Sequence, residues 1–117
     1  MRFMALVYFE PSAFDGMSAD ELRQLDDATI EHDIKMREQG HLLFASPLAG
    51  PETARSLRCR DGRLITTDGP FAETKEVVGG FMLIEAKSVE ELLPLFEDDP
   101  ILKYGRLEFR SLVDHRH

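Results

Sequence analysis

Cysteine is almost missing from this chain, and tryptophan is absent. Only Cys59 carries a thiol among 117 residues, so no disulfide can close within the chain and a thiolate zinc site has no companion ligands. Positive charge is also scarce: 14 lysines and arginines face 22 aspartates and glutamates, a net charge of −8. A duplex or an anionic bilayer repels that balance, which argues against direct nucleic-acid or membrane binding. Long apolar runs are missing too, and none approaches the length of a membrane-spanning helix. The run Phe3 to Phe9 meets Glu10 and Pro11 at once and has no small-residue cleavage site, so it reads as a first strand and not as a signal core. Together with the lone thiol, this leads us to expect a reducing, cytoplasmic setting. No phosphate-binding glycine loop, serine-nucleophile motif or zinc pattern occurs, so neither cofactor nor metal is expected.

What is present fits one globular domain, residues 1–113, followed by a polar tail, 114–117. Hydrophobic residues make up 43% and charged residues 31%, as in globular chains and unlike disordered ones. Two segments follow one plan. Phe3 to Phe9 precedes Ser18-Ala19-Asp20-Glu21 and a helical pattern; Phe81 to Glu85 precedes Ser88-Val89-Glu90-Glu91 and a second one. Each serine stands three residues before a glutamate, the spacing of a capping box. The first helix starts near Ala19 and stops at Gly40, while Pro94 shortens or kinks the second. Between the halves lie a strand over Leu42 to Ala45 and a hairpin, Ser56 to Arg60 and Arg63 to Thr67, turning at Asp61-Gly62. A last strand covers Leu107 to Val113. Two strand–helix–strand units with an inserted hairpin predict an α+β, ferredoxin-like sheet with both helices on one face. Phe3, Ala5, Val7 and Phe9 alternate with Met4, Leu6 and Tyr8, so both faces of the first strand are apolar and both need cover. Helices cover one. A second copy of the chain, giving a homodimer, is expected on the other, unless the hairpin and the loop after it fold back there.

The richest stretch is Asp68-Gly69-Pro70-Phe71-Ala72-Glu73-Thr74-Lys75-Glu76. Asp-Gly-Pro is turn chemistry, Phe71 is suited to plug the loop onto the core, and Glu73, Lys75 and Glu76 would then stand on a firm loop. Asp68, Glu73, Lys75 and Glu76, with Arg58 from the hairpin, are candidates to bind a small anionic or cyclic organic ligand. Equally, Arg58 and Arg60 can pair with Glu73 and Glu76 to hold the loop. On the first helix, Leu22, Leu25, Thr29 and Met36 form a stripe with Ile30 and Ile34 beside it. Asp33 falls within that arc and His32 at its margin. A carboxylate there is costly unless paired, so Asp33 with His32 is the candidate proton-transfer pair, and a structural ion pair is the alternative. Glu108, Arg106 and Arg110 share one side of the last strand, expected to face away from the helices.

The stretch DGPFAETKE, followed by Gly79-Gly80-Phe81, resembles the YCII-related family of the DGPF type, as do Arg37 to His41, Arg58 to Gly62 and Tyr104 to Arg110. The resemblance implies a dimeric α/β-barrel arrangement, with a histidine on the first helix eleven residues before its final glycine as suspected base. That position is Thr29 here, so His32 enters only as a substitute. Two functions follow as expectations. One is ligand binding in a cleft between sheet and first helix, with cofactor-free isomerisation or elimination in which Asp33 is the base and Arg58 or Lys75 steadies an anion. The other is a non-enzymatic regulatory module linked to alternative sigma factors through protein contacts. A closed pocket containing Asp33 favours the first; a flat surface around Glu73 to Glu76 favours the second.

Overall fold

In the computed structural model, residues 1–69 and 74–113 are described. Eight main elements follow in order: β1 (Arg2–Phe9), α1 (Ala19–Glu38), β2 (Leu42–Pro47), β3 (Arg55–Arg60), β4 (Arg63–Asp68), β5 (Val77–Glu85), α2 (Val89–Leu95) and β6 (Gly105–Ser111). Single 3-10 turns at Pro11–Phe14, Pro51–Thr53 and Pro100–Lys103 each begin on a proline, whose fixed φ suits a first helical position. The last strand starts two residues earlier than the apolar pattern suggested.

Four strands form one sheet in the order β2-β5-β1-β6, with every neighbouring pair antiparallel. Phe3 lies opposite Ile84 and Ala5 opposite Met82, so their side chains share the inner face. There they meet Met36 of α1, Leu42 of β2, and Leu92 and Phe96 around α2, which together form the buried core. Met4, Leu6 and Tyr8 face outward with Leu83, Phe81 and Phe44, and no extended contact from another described element covers them.

Local signals set the helix ends. Ser18 Oγ accepts from Glu21 N at 3.1 Å and Glu21 Oε1 accepts from Ser18 N at 3.3 Å, a complete capping box. Gly40, at φ 82°, ends α1, with His41 N donating to Met36 O and Gly40 N to Arg37 O in a Schellman arrangement. At α2 the box is half made. Ser88 Oγ accepts from Glu91 N, but the Glu91 carboxylate turns to Lys87 N instead of Ser88 N. Pro94 limits this helix to seven residues.

The exposed side of α1 departs from expectation. Ile30 and Ile34 are 56% and 51% exposed, while His32 and Met36 are buried. At 3.6 residues per turn the buried arc runs through Leu25, Thr29, His32 and Met36, and the two isoleucines fall on the far side.

The hairpin of β3 and β4 stands apart as its own two-stranded sheet. Asp61 and Gly62 both take positive φ, 53° and 76°, as a two-residue turn matched to strand twist requires. The hairpin does not fold back over the outer face: Leu57 and Leu64 are 65% and 75% exposed. The chain therefore makes a plate of 48 × 47 × 18 Å with a radius of gyration of 16.6 Å, against about 13 Å for a compact chain of this length.

Candidate functional site

Two regions gather the ionisable side chains, and they are separate. The first is a hollow of about 990 Å³ lined by Tyr8, Glu10, Pro51, Glu52, Thr74 to Val78 and Pro11. Its floor is the end of β1, where Tyr8 faces outward. Glu10 is placed by the next turn, whose Ala13 N donates to Glu10 O at 2.9 Å, and that turn is braced by Phe9 packing edge-on against Phe14 and Phe14 stacking on Tyr104. Lys75 reaches Glu10 at 3.7 Å. Glu76 accepts from Arg106 Nε at 3.1 and 3.3 Å through its two oxygens. The Arg106 guanidinium also lies 4.2 Å from the centre of the Tyr8 ring, a cation–π contact, while Tyr8 Oη approaches Glu108 Oε2 at 3.5 Å. Hydrogen bonding to Glu76 raises the pKa of Arg106 above its ordinary value. The Thr74 hydroxyl donates to the Glu76 carbonyl, tightening the chain as it enters β5.

Of the predicted ligand-binding residues, the structure thus brings Lys75 and Glu76 to one hollow. Asp68 ends β4 and pairs with Arg55 at 3.3 Å. Glu76 is held by Arg106 of β6. Phe71 and Glu73 lie outside the described residues, as does the tail from Asp114 to His117.

The second region is the corner where α1 meets the segment between α2 and Pro100. His32 is 8% exposed. One of its ring nitrogens, Nε2, lies 3.1 Å from Leu95 O and 3.4 Å from Asp98 Oδ1. The other, Nδ1, faces Asp99 Oδ2 at 3.8 Å, too far for a hydrogen bond, and is buried without a hydrogen-bond partner among the described residues. Asp99 caps the turn that follows by accepting from Ile101 N at 3.1 Å. The Phe96 ring lies 5.5 Å from the imidazole. Burial raises the pKa of Asp33, and the nearby charge of Asp99 raises it further, while His32 and Arg37 pull it down. Burial likewise raises the pKa of Asp99; the Ile101 N–H and His32 oppose this, and Asp98 adds to it. A smaller hollow, about 450 Å³, opens beside this corner along Ala28, Glu31, His32, Lys35, Glu38 and Asp98. Asp33 lines neither hollow. Thr29 lies on the half-buried part of the same helix face.

The sequence reading missed Tyr8, Glu10, Asp98 and Asp99. Asp99-Pro100 carried a usable signal, an aspartate in capping position before a proline-led turn. Tyr8 and Glu10 carried none that distinguished them from ordinary strand-end residues. Among the described residues, no cluster of histidine, cysteine and carboxylates has the geometry to hold a metal ion, and no helix is long and apolar enough to cross a membrane.

Comparison with known proteins adds three findings. The family model of the YCII-related domain matches residues 1–116. An uncharacterized protein of Rhizobium meliloti (strain 1021) is 34% identical over 103 residues, covering 84% of this chain and 79% of the relative. Among solved structures, 5-chloro-2-hydroxyhydroquinone dehydrochlorinase from Burkholderia phenoliruptrix AC1100, in complex with 2,5-dihydroxybenzoquinone, superposes with a TM-score of 0.54. It is 17% identical, and the match covers 98% of this chain and 96% of that one.

Proposed function

Since this chain belongs to the YCII-related family, we propose that it binds a small oxygen-bearing organic ligand in the hollow between Tyr8, Glu10 and Lys75-Glu76, and that the chemistry there is cofactor-free proton transfer. One observation carries the reading: a hollow of about 990 Å³, of the size that takes small molecules, is edged by two ion pairs and a phenol contributed by three chain segments. Lys75 and Arg106 are placed to steady negative charge on a ligand oxygen. Glu10 and Glu76, each released from its cation when the ligand takes that cation over, are placed to accept a proton. The class is isomerisation or elimination, which needs a base and a stabilised oxyanion and no redox partner. The dihydroxybenzoquinone held by the structural neighbour is a ligand of the proposed kind, flat and rich in oxygen. In this reading the sheet has the ferredoxin-like pattern, and a second copy covers the outer face of Met4, Leu6, Phe81 and Leu83.

Thermal denaturation in the presence of 2,5-dihydroxybenzoquinone, small aromatic acids and lactones tests this. A bound compound raises the melting temperature by mass action. Lys75→Ala and Glu76→Gln should each abolish that rise while the ligand-free protein melts as before. A rise that survives both substitutions overturns the site.

A second reading has one observation in its favour. Burial and the Asp99 charge hold the Asp33 carboxyl above its ordinary range, as suits a general acid or base, with His32 beside it. Asp33→Asn separates the two. Loss of turnover with Asp33→Asn and its retention with Glu76→Gln favours the corner.

A further inference from the structure

We infer that the β3–β4 hairpin is a docking arm that packs on the exposed side of α1 of a second copy of this chain. An isolated two-stranded hairpin is at best marginal in water, yet this one has no extended contact with any other described element. Pairing in the hairpin sets Leu57 opposite Thr66 and Cys59 opposite Leu64, so Leu57, Cys59 and Leu64 share one side. Arg60 stands directly opposite Arg63 at the tip, a like-charge pair that costs energy unless an acidic surface meets it. Four arginines against two aspartates give residues 55–68 a charge of +2, leaving the remainder of the −8 chain at −10.

The surface that fits lies on α1. Ile30 and Ile34 form an exposed apolar pair on the side turned away from the core. By helical spacing Asp26, Asp27, Glu31 and Glu38 fall around them, all exposed. Among the described residues none of these four forms an ion pair, whereas Asp20 is matched by Arg23 at 3.4 Å and the Glu21 carboxylate closes the capping box. Leucines with arginines on the arm thus meet isoleucines with acids on the helix. Because arm and helix both belong to every copy, the contact can be made reciprocally about a two-fold axis. It does not depend on the ligand reading, nor on the outer face of the four-stranded sheet.

Disulfide trapping tests the contact. In a Cys59→Ser background, Leu64→Cys and Ile34→Cys placed on separate copies should give a covalent dimer on mild oxidation, while Leu64→Cys with Phe44→Cys should not. Phe44 lies on the outer sheet face, so trapping there and not at Ile34 overturns the assignment. Charge exchange gives a readout without cysteine. Arg63→Glu and Asp27→Arg should each weaken salt-sensitive self-association about tenfold in sedimentation, and an equal mixture of the two variants should restore it. Failure of the mixture to recover, or a wild-type chain that stays monomeric at every concentration, also overturns it. Thermal shift with the small acids named above reports separately on the ligand hollow.

Discussion

Around Tyr8 the charged side chains come from three segments, meet in open ion pairs and stay in contact with water. Around His32 they come from two segments and are shut between a helix and a turn. Residue types overlap in the two places: carboxylates, nitrogen-bearing side chains and an aromatic ring. Their physics does not. In the open hollow, Glu76 and Arg106 exchange each other for water at little cost, so either can turn to a ligand without loosening the fold. At the corner, the imidazole and the Asp99 carboxylate have given up water and depend on one another, so removing one strands the other.

The largest effect therefore belongs to the corner. His32→Ala removes a buried ring and leaves a void beside Asp99 and Phe96, and we expect a loss of about 3 kcal/mol in urea unfolding. Glu76→Gln, on the same measurement, should fall within the scatter of the wild-type curve. If the two variants unfold alike, the contrast between the regions fails.

Next comes a position that borders the hollow but serves the sheet. A Cβ on Gly105 would run into the Tyr8 carbonyl oxygen and lie 3.0 Å from Phe9 Cβ, where β6 begins beside β1. Gly105→Ala should cost about 2 kcal/mol by forcing these strands apart. It should also shift the Tyr8 ring, seen as a changed tyrosine fluorescence. A silent substitution here would mean that the wall behind Tyr8 is softer than its packing indicates.

The contrast also has a pH signature. For Asp33 and Asp99 the folded-state pKa lies above the ordinary 3.8. The folded protein then holds these protons more tightly than the unfolded chain, so their contribution favours folding as pH falls from above the folded pKa toward the unfolded one, and is lost as pH rises again. Asp99→Asn imitates the protonated form and keeps an oxygen for the Ile101 N–H. Its stability relative to wild type should thus be most favourable at neutral pH and should decline toward pH 4. A difference that grows on acidification would reverse the sign and remove the raised carboxyls from the account.

How much of this was legible depended on how local the cause was. Ser18 with Glu21, Gly40, Asp61-Gly62 and Pro94 each act within a few residues, and each shaped the chain where the sequence said it would. The helix face was harder. Ile30 and Ile34 look like core residues by type, and only the angle from Leu25 and Met36 puts them outside. His32 was read as marginal because its burial comes from Phe96, Asp98 and Asp99, more than sixty residues away. The stretch ending in Thr74-Lys75-Glu76 revealed one wall of the hollow. The opposite wall depends on the pairing of β1 with β5 and β6, which puts Tyr8 beside Arg106, and no short motif encodes that.

The smallest effect on folding should be the most informative about the hollow. Arg106→Lys keeps the positive charge but gives up the two-oxygen grip on Glu76 and the flat guanidinium over the Tyr8 ring. Arg106 is exposed, so the unfolding curve should barely move. Ligand binding is different, because a lysine ammonium is a point charge that neither stacks on Tyr8 nor fixes the direction of the Glu76 carboxylate. The expected result is an unchanged melting temperature without ligand and a reduced rise with it. Equal rises for arginine and lysine would show that only the sign of the charge matters there, and that the ordered pairing of Tyr8, Arg106 and Glu76 serves the strand end and not the ligand.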